Sequence, residues 1–181
     1  MTGVQTCALP IRDDLQRISP KLKKLADNGT PMLVICGLYQ LFGRSFTTKD
    51  GDVVPGAGIF DLETVGDDKR IVGNIILNSS EFGEIIGYEN HSGLTTLDPS
   101  LVSLGEVVKG VGNNNTDSNE GARYHNVIGT YLHGPLLPKN PRIADWILAQ
   151  AINRKYGEAS LEPLKDQYVD QARAIASKRP R

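Results

Sequence analysis

Hydrophobic positions recur at helical spacing near the start of the chain and then merge into a short, continuous apolar run. In residues 12–28, leucine and isoleucine side chains lie three or four positions apart, which predicts an amphipathic helix that ends at Asn28-Gly29. Residues 31–36 (PMLVIC) are apolar without a break, and this predicts a strand buried on both faces. A helix, a turn and a buried strand in this order are typical of α/β proteins.

The middle of the chain changes to short apolar runs separated by Gly, Asp and Ser, the pattern of successive strands. The predicted strands are residues 58–65, 70–78, 84–88, 104–111 and 127–133. Residues 112–121 are polar and predict a surface loop, because their spacing fits no EF-hand calcium loop. The predicted helices are residues 39–46, residues 141–157, and a C-terminal helix within 160–181 whose pattern is clearest at 169–177.

These elements predict one α/β domain over residues 12–181, with a mostly parallel sheet between two helical layers in an αβα arrangement. Residues 1–11 (MTGVQTCALPI) lack the charged start and unbroken apolar core of a signal peptide, and they resemble a translated sequencing adapter. We expect this segment to be non-native and therefore set Cys7 aside. On that expectation the native chain extends further upstream, and the fold lacks its first strands.

Composition narrows the function classes without naming one. The 181 residues carry 20 Lys and Arg against 21 Asp and Glu, so no strong net charge favours nucleic acid or an anionic membrane. No apolar run approaches the roughly 18 residues that a membrane-spanning helix needs. Two cysteines are too few for a disulfide framework, so we expect a cytoplasmic protein with reduced thiols and neither nucleic-acid binding nor direct membrane insertion.

Cys36 is the first candidate for chemistry. It stands at the carboxyl end of the predicted buried strand, and Gly37 and a short helix follow it. Catalytic groups of open α/β sheets collect at such strand ends. A thiol on this turn has backbone N–H groups nearby that can lower its pKa and stabilise an oxyanion. The alternative is a buried structural cysteine that acts as a small hydrophobic residue.

A thiol nucleophile needs a base, and the chain has three histidines. His133 ends the predicted strand 127–133, where it can face Cys36 across the sheet edge. His91 follows another predicted strand, and His125 precedes one, beside charged and polar residues. The histidine spacing matches no zinc motif, so no metal site is predicted, and neither a P-loop nor a dinucleotide-binding glycine pattern is present.

Three blocks in this order give a specific resemblance: residues 34–43 (VICGLYQLFG), 87–91 (GYENH) and 129–140 (GTYLHGPLLPKN). Together they resemble the class I glutamine amidotransferases of the cobyric-acid-synthase-like branch, and the likeness runs from about residue 12 to the C-terminus. The resemblance implies the flavodoxin-like fold of that class. It also implies a glutaminase, an enzyme that hydrolyses L-glutamine and delivers ammonia to a synthetase.

The resemblance assigns roles to individual residues. Cys36 would be the nucleophile and His133 the base, while Gly37 would supply an oxyanion donor from its backbone N–H. Gln40 matches a glutamine-contacting position. Arg70 matches an arginine of glutamine handling, whose guanidinium could pair with the α-carboxylate of the substrate, although an exposed strand arginine is the alternative. For His91 we favour an orienting or structural role over catalysis.

Two departures from the family pattern bear on the chemistry. Leu38 stands where relatives commonly carry a second glycine, which alters the pocket wall and leaves the backbone donors in place. Pro135 stands where class I triads usually place an acid, two residues beyond the histidine. A Cys–His dyad remains unless another chain supplies the carboxylate.

Within this branch, Gly112-Asn-Asn and the extension 135–140 (PLLPKN) favour the separate glutaminase subunits that serve amidation of a peptidoglycan precursor. Their partner is a Mur-ligase-like synthetase that uses ATP and Mg²⁺ to activate D-glutamate in the lipid II stem peptide. No cofactor is then expected on this chain. The alternatives are an amidotransferase of corrinoid biosynthesis, a Cys–His hydrolase or peptidase on a similar fold, and a non-catalytic interaction module.

Overall fold

The computed structural model describes residues 3–158 and 160–179, with the side chains from residue 13 onward. The helical spacing of the N-terminal segment produces helix α1 (Gly3–Asp27), which continues through Pro20. Gly29 has a φ of 72° and reverses the chain after the helix, a conformation that glycine adopts without strain. The apolar run that follows forms strand β1 (Met32–Ile35). Both elements agree with the sequence pattern.

The remaining strands and helices follow in chain order. The strands are β2 (Ser45–Thr47), β3 (Val53–Pro55), β4 (Leu62–Ser79), β5 (Gly83–Leu97), β6 (Gly105–Lys109), β7 (Asn119–Glu120), β8 (Ala122–Tyr124), β9 (Val127–Thr130) and β10 (Leu132–His133). The helices are α2 (Gly37–Leu41), α3 (Leu136–Lys139), α4 (Pro141–Tyr156) and α5 (Gln167–Ser177).

The strands form two sheets that the chain joins at Tyr131. The smaller sheet has the order β1-β9-β8, and β1 pairs with β9 in parallel from Met32↔Val127 to Ile35↔Thr130. The larger sheet has the order β10-β5-β4-β2-β3, with β6 paired to β4 and β7 paired to β6. Because β9 ends at Thr130 and β10 begins at Leu132, the chain passes from one sheet to the other within a single residue.

The prediction of a mostly parallel sheet needs correction. Among the described strands, only the pairs β1/β9 and β2/β4 are parallel, and the other strand pairs are antiparallel. The long hairpin of β4 and β5 dominates the larger sheet and accounts for much of this difference. Buried and exposed positions alternate along much of β4, which is the pattern of an antiparallel strand with one solvated face.

Several predicted boundaries are also wrong in detail. Predicted strands 58–65 and 70–78 fall largely within the single strand β4, because residues 67–70 produce a register shift against β5 rather than a turn. The predicted helix 39–46 is α2 followed by strand β2, and predicted strand 127–133 is divided into β9 and β10 at Tyr131. The predicted helix within 160–181 is limited to α5 among the described residues, and 180–181 lie outside them.

Two hydrophobic clusters support the sheets. The first packs α1 and α2 against the smaller sheet through residues that include Leu15, Tyr39 and Phe60, all buried. The second joins the larger sheet to α4 and includes Ile75, Leu132 and Ile143. Burial of these apolar surfaces stabilises the fold, and it fixes the ends of β1, β9 and β10 relative to one another.

The expectation that residues 1–11 are non-native rests on the sequence. Residues 1 and 2 lie outside the described part of the chain, and so do the side chains of residues 3–12. The backbone of residues 3–11 is helical and continues into the remainder of α1. The boundary at residue 12 stays a prediction.

Candidate active site

Cys36 occupies the tight turn between strand β1 and helix α2. Its backbone has φ 55° and ψ −112°, a combination that costs energy for a residue with a side chain. The side chain is partly exposed. A strained residue at a strand-to-helix turn projects its side chain away from the sheet, and such strain is concentrated at functional sites in proteins. The predicted nucleophile therefore lies at a residue whose strained backbone conformation costs free energy.

Three features of the structure shift the pKa of the Cys36 thiol. Burial raises the pKa of Cys36, whereas a hydrogen bond from the Gly37 backbone N–H and the positive charge of Arg70 both lower it. The net direction is upward, so the free thiol is the dominant form at neutral pH. Activation of Cys36 therefore depends on a base that removes its proton.

His133, the predicted base, lies in β10 opposite Tyr88 of β5. Burial lowers its pKa, the backbone of Asn90 raises it through a hydrogen bond, and the charge of Arg70 lowers it again. Its Nε2 atom is buried and has no hydrogen-bond partner among the described residues. The net effect is a pKa below the usual value, so at pH 7 the imidazole is neutral and has a free lone pair.

Cys36 follows strand β1, and His133 lies three residues beyond the end of β9, the strand that pairs in parallel with β1. The backbone N–H of Cys36 donates to the Thr130 carbonyl over 2.9 Å, and His133 follows Thr130 by three positions. The charge of Arg70 acts on both side chains. Within the described residues, no hydrogen bond joins the thiol to the imidazole.

Arg70 projects from β4 beside this region. Its Nε donates to the Asn90 Oδ1 atom over 2.7 Å, while the backbone of Asn90 faces His133. In the described part of the chain, no hydrogen bond involves the terminal nitrogens of Arg70. The two terminal nitrogens of a guanidinium held at Nε can form a fork around a carboxylate. Asn90 thus links the predicted substrate-binding arginine to the predicted base.

Gln40 differs from the other predicted site residues in its surroundings. Its side chain is buried, and its Nε2 donates to the Tyr131 hydroxyl over 3.1 Å. The structure therefore brings Cys36, Gly37, Arg70 and His133 to one region and places Gln40 in the interior behind them. Contact between Gln40 and a substrate stays a prediction.

His91 is a fully buried neighbour of the site. Its ring stacks on Tyr131 with centroids 3.6 Å apart and planes 7° apart, and its Nδ1 donates to the Gly93 carbonyl over 2.8 Å. Burial is the main cause that lowers the pKa of His91 to about 4. A neutral imidazole that is stacked and hydrogen-bonded in the interior fits an orienting or structural role.

Replacement of His91 tests this assignment through stability. The folded protein binds a proton at His91 only near pH 4, whereas the unfolded chain binds it below about pH 6.5, so stability is lost as the pH falls through this window. Relative to His91→Gln, the wild-type protein should lose about 3 kcal/mol of unfolding free energy between pH 7 and pH 4. Urea unfolding at both pH values measures this difference. Equal losses in the two proteins contradict the assignment.

A layer of buried polar groups beneath the site was not predicted from the sequence. Glu120 and Glu89 are both fully buried. Glu89 accepts hydrogen bonds from the backbone N–H groups of Val111 and Gly112. Glu89 lies within the block 87–91, so its position was already marked. Glu120 lies in the polar run 112–121, whose sequence predicts a surface loop. Only the tertiary structure reveals that Glu120 is buried.

Two further findings concern the described residues alone. None of their helices is long and apolar enough to cross a membrane. No group of three or more His, Cys, Asp and Glu side chains among them is arranged to hold a metal ion.

Comparisons of the chain with a family profile and with known proteins agree on one family. The profile of the CobB/CobQ-like glutamine amidotransferase domain matches residues 3–141. The chain is 45% identical over 142 residues to the GatD subunit of the glutamine-hydrolysing lipid II isoglutaminyl synthase of Staphylococcus aureus. It is 34% identical over 163 residues to the subunit of the same name from Streptococcus pneumoniae. These alignments cover 78% and 89% of the chain.

Two less similar proteins also match the chain, one by sequence and one by structure. A probable cobyric acid synthase of Methanococcus maripaludis is 29% identical over 144 residues, which are 75% of this chain and 29% of that protein. A crystal structure of a glutamine amidotransferase superposes with a TM-score of 0.56 at 15% identity, covering 74% of this chain and 68% of that one, and it supports the α/β fold. The chain spans 58% and 63% of the lengths of the two GatD relatives.

Proposed function

Because the chain belongs to the family of CobB/CobQ-like glutamine amidotransferases, we propose that it is the glutaminase part of an amidating enzyme. In this proposal it hydrolyses L-glutamine to glutamate and supplies the ammonia to a synthetase. The observation that carries the proposal is the strained Cys36 turn, which is hydrogen-bonded to the strand leading to a neutral His133.

The reaction begins with proton transfer from the Cys36 thiol to the free lone pair of His133. The thiolate attacks the side-chain amide carbon of glutamine, and the oxygen that becomes negative faces the Gly37 backbone N–H. Protonated His133 then gives its proton to the amide nitrogen, which leaves as ammonia. His133 next deprotonates a water molecule that attacks the thioester, so that glutamate is released and the thiol is restored.

Arg70 has the role of substrate anchor in this scheme. Its terminal nitrogens bind the α-carboxylate of glutamine, while its bond to Asn90 fixes the guanidinium plane. The exposed side chain of Arg70 leaves this fork open to solvent and to a ligand. Gln40 is a second predicted glutamine contact that requires a rearrangement of its bond to Tyr131.

Replacement of Arg70 by Gln should raise the KM for glutamine at least about tenfold, because a charge-assisted pair contributes about 1.5–3 kcal/mol. The same change should raise the pKa of Cys36, since a positive charge that favours the thiolate is removed. Steady-state kinetics and the pH dependence of iodoacetamide alkylation measure the two effects. Lys69→Gln is the matched control, because it removes the neighbouring cation. An equal rise in KM for the Lys69 variant contradicts the anchor role.

We further propose that the ammonia is used by a Mur-ligase-like synthetase subunit in a cytoplasmic heterodimer. That subunit would bind ATP and Mg²⁺ and amidate D-glutamate in the lipid II stem peptide. The names of the two GatD relatives support a subunit of a glutamine-hydrolysing enzyme that acts on lipid II. Pro135 leaves His133 without the usual third acid, and we propose that the synthetase supplies that carboxylate, so that glutaminase activity depends on the partner.

The test is ammonia release from L-glutamine by the chain alone and in complex with the synthetase subunit. We expect release that increases strongly in the complex and, with ATP and lipid II, formation of D-isoglutamine. Amidation of a corrinoid carboxylate would instead favour the cobyric acid synthase relatives. Peptide cleavage without glutamine hydrolysis would favour a Cys–His peptidase, and no turnover in either form would favour an interaction module.

A further inference from the structure

Only two residues separate the hydrogen-bond partner of Cys36 from the predicted base. Thr130 accepts the Cys36 N–H through its carbonyl, Tyr131 and Leu132 follow, and His133 comes next. The same residues carry the chain from the smaller sheet to the larger one. The path of this link, residues 130–132, therefore determines where the imidazole lies relative to the sulfur.

One buried side chain binds the link along its length. The Glu120 Oε1 atom accepts the Tyr131 N–H over 2.7 Å, and its carboxyl group lies 3.0 Å from the Thr130 hydroxyl. The Thr130 Oγ1 atom in turn accepts the Leu132 N–H over 3.1 Å. Glu120 is fully buried. A single carboxyl group thus orders the link through two direct bonds and one relayed bond.

The side chain of Tyr131 is fixed at its other end. Its ring stacks on His91, and its hydroxyl contacts Thr95 Oγ1 at 2.6 Å and Gln40 Nε2 at 3.1 Å. With its backbone held by Glu120, Tyr131 cannot rotate without breaking several buried contacts.

We infer that Glu120 is a positioning residue that fixes the link 130–132 and thereby sets the separation of Cys36 and His133. Glu120 acts through the backbone, since its hydrogen bonds reach the link rather than the thiol or the imidazole. The effect on turnover rests on the proposed glutaminase function. The ordering of residues 130–132 does not depend on that proposed function, and it can be measured separately.

The surroundings of Glu120 favour an uncharged carboxyl group. Burial and the neighbouring carboxyl of Glu89 from β5 raise the pKa of Glu120, whereas its hydrogen bonds with Tyr131, Thr130 and the Gly121 backbone lower it, and Tyr39 from α2 also faces it. Burial is the main cause that raises the pKa of Glu120 to about 8. In the neutral acid, the Oε1 atom accepts both the Tyr131 N–H and the Thr130 hydroxyl. A glutamine side chain reproduces both bonds, so Glu120→Gln is the conservative variant.

Amide hydrogen exchange tests the ordering independently of catalysis. In Glu120→Leu, the amides of Tyr131 and Leu132 should exchange at least about tenfold faster than in the wild-type protein, whereas Glu120→Gln should retain their protection. Thr130→Val removes the relayed bond with little change of shape, and it should expose the Leu132 amide selectively. It also provides the test if Glu120→Leu does not fold. Unchanged exchange at both amides in the Thr130 and Glu120→Leu variants overturns the inference.

Kinetics of the complex with the synthetase subunit test the consequence for catalysis. We expect kcat to fall at least about 30-fold in Glu120→Leu and about tenfold in Thr130→Val, with KM for glutamine within threefold and kcat retained in Glu120→Gln. Ile143→Ala, in the second core cluster, is the control for a general loss of stability. Equal loss of kcat in an Ile143 variant of the same melting temperature overturns the positioning role. If the wild-type complex hydrolyses no glutamine, the proposed function fails, and the exchange data still decide whether Glu120 orders the link.

Discussion

Glutamine hydrolysis should fall by about 10³-fold or more when Cys36 is replaced by alanine, because the reaction loses its nucleophile. Ammonia release by the complex with the synthetase subunit measures the loss. The melting temperature should change little, since the thiol is only partly buried. A Cys36→Ala protein that hydrolyses glutamine within threefold of the wild-type rate would exclude covalent catalysis by this residue and revive the interaction-module alternative.

The backbone of Cys36 provides a second, independent measurement. Alanine keeps the strained φ of 55°, whereas glycine adopts positive φ without cost. Cys36→Gly should therefore be more stable than Cys36→Ala by about 1 kcal/mol, even though both lack the sulfur. Thermal or urea unfolding of the pair isolates the strain from the chemistry. A glycine variant no more stable than the alanine variant would indicate that the turn is not strained in solution.

The sequence predicted the strand and turn around Cys36 better than it predicted the sheets. An uninterrupted apolar run followed by Cys36-Gly37 identifies a buried strand and a sharp turn from local pattern alone, and the structure has both. The direction of each strand, in contrast, depends on partners far away in the chain. Strand β4 was predicted as two separate strands, and its antiparallel pairing with β5 joins residues as far apart in sequence as Leu62 and Leu97.

The residues of the candidate site likewise fall into those that the sequence predicted and those that only the structure reveals. His133 and Arg70 were predicted through motif resemblance, and in the structure the charge of Arg70 lowers the pKa of both Cys36 and His133. Glu120 was missed because its neighbours in sequence are polar, and burial of a polar residue is decided by the tertiary structure. Motif resemblance thus points to candidate substrate-binding and catalytic groups, while the buried groups that order the backbone around them are identified from coordinates.

Replacement of His133 by asparagine is the second large effect that we expect. Loss of the base should lower kcat/KM for glutamine by about 10²- to 10⁴-fold, the usual contribution of a positioned acid–base group. His125→Asn is the matched control, because His125 is exposed and its φ of 48° is tolerated by asparagine. Glutaminase assays on the two variants in complex with the synthetase subunit separate catalysis from a general effect of removing a histidine. Equal loss in both variants would contradict the role of His133.

The dependence of kcat/KM on pH shows which protonation state of His133 the proposed mechanism uses. Catalysis requires neutral His133, which is the form present above its pKa, and burial lowers that pKa below 6.5. The wild-type enzyme should therefore retain kcat/KM at pH 6.5 and lose it only at lower pH, and His125→Asn should share this acid limb. His133→Asn should lack the limb, because the titrating group is absent. An acid limb at the same pH in the His133 variant would assign the titration to another group, and the most direct candidate would be a carboxylate supplied by the synthetase.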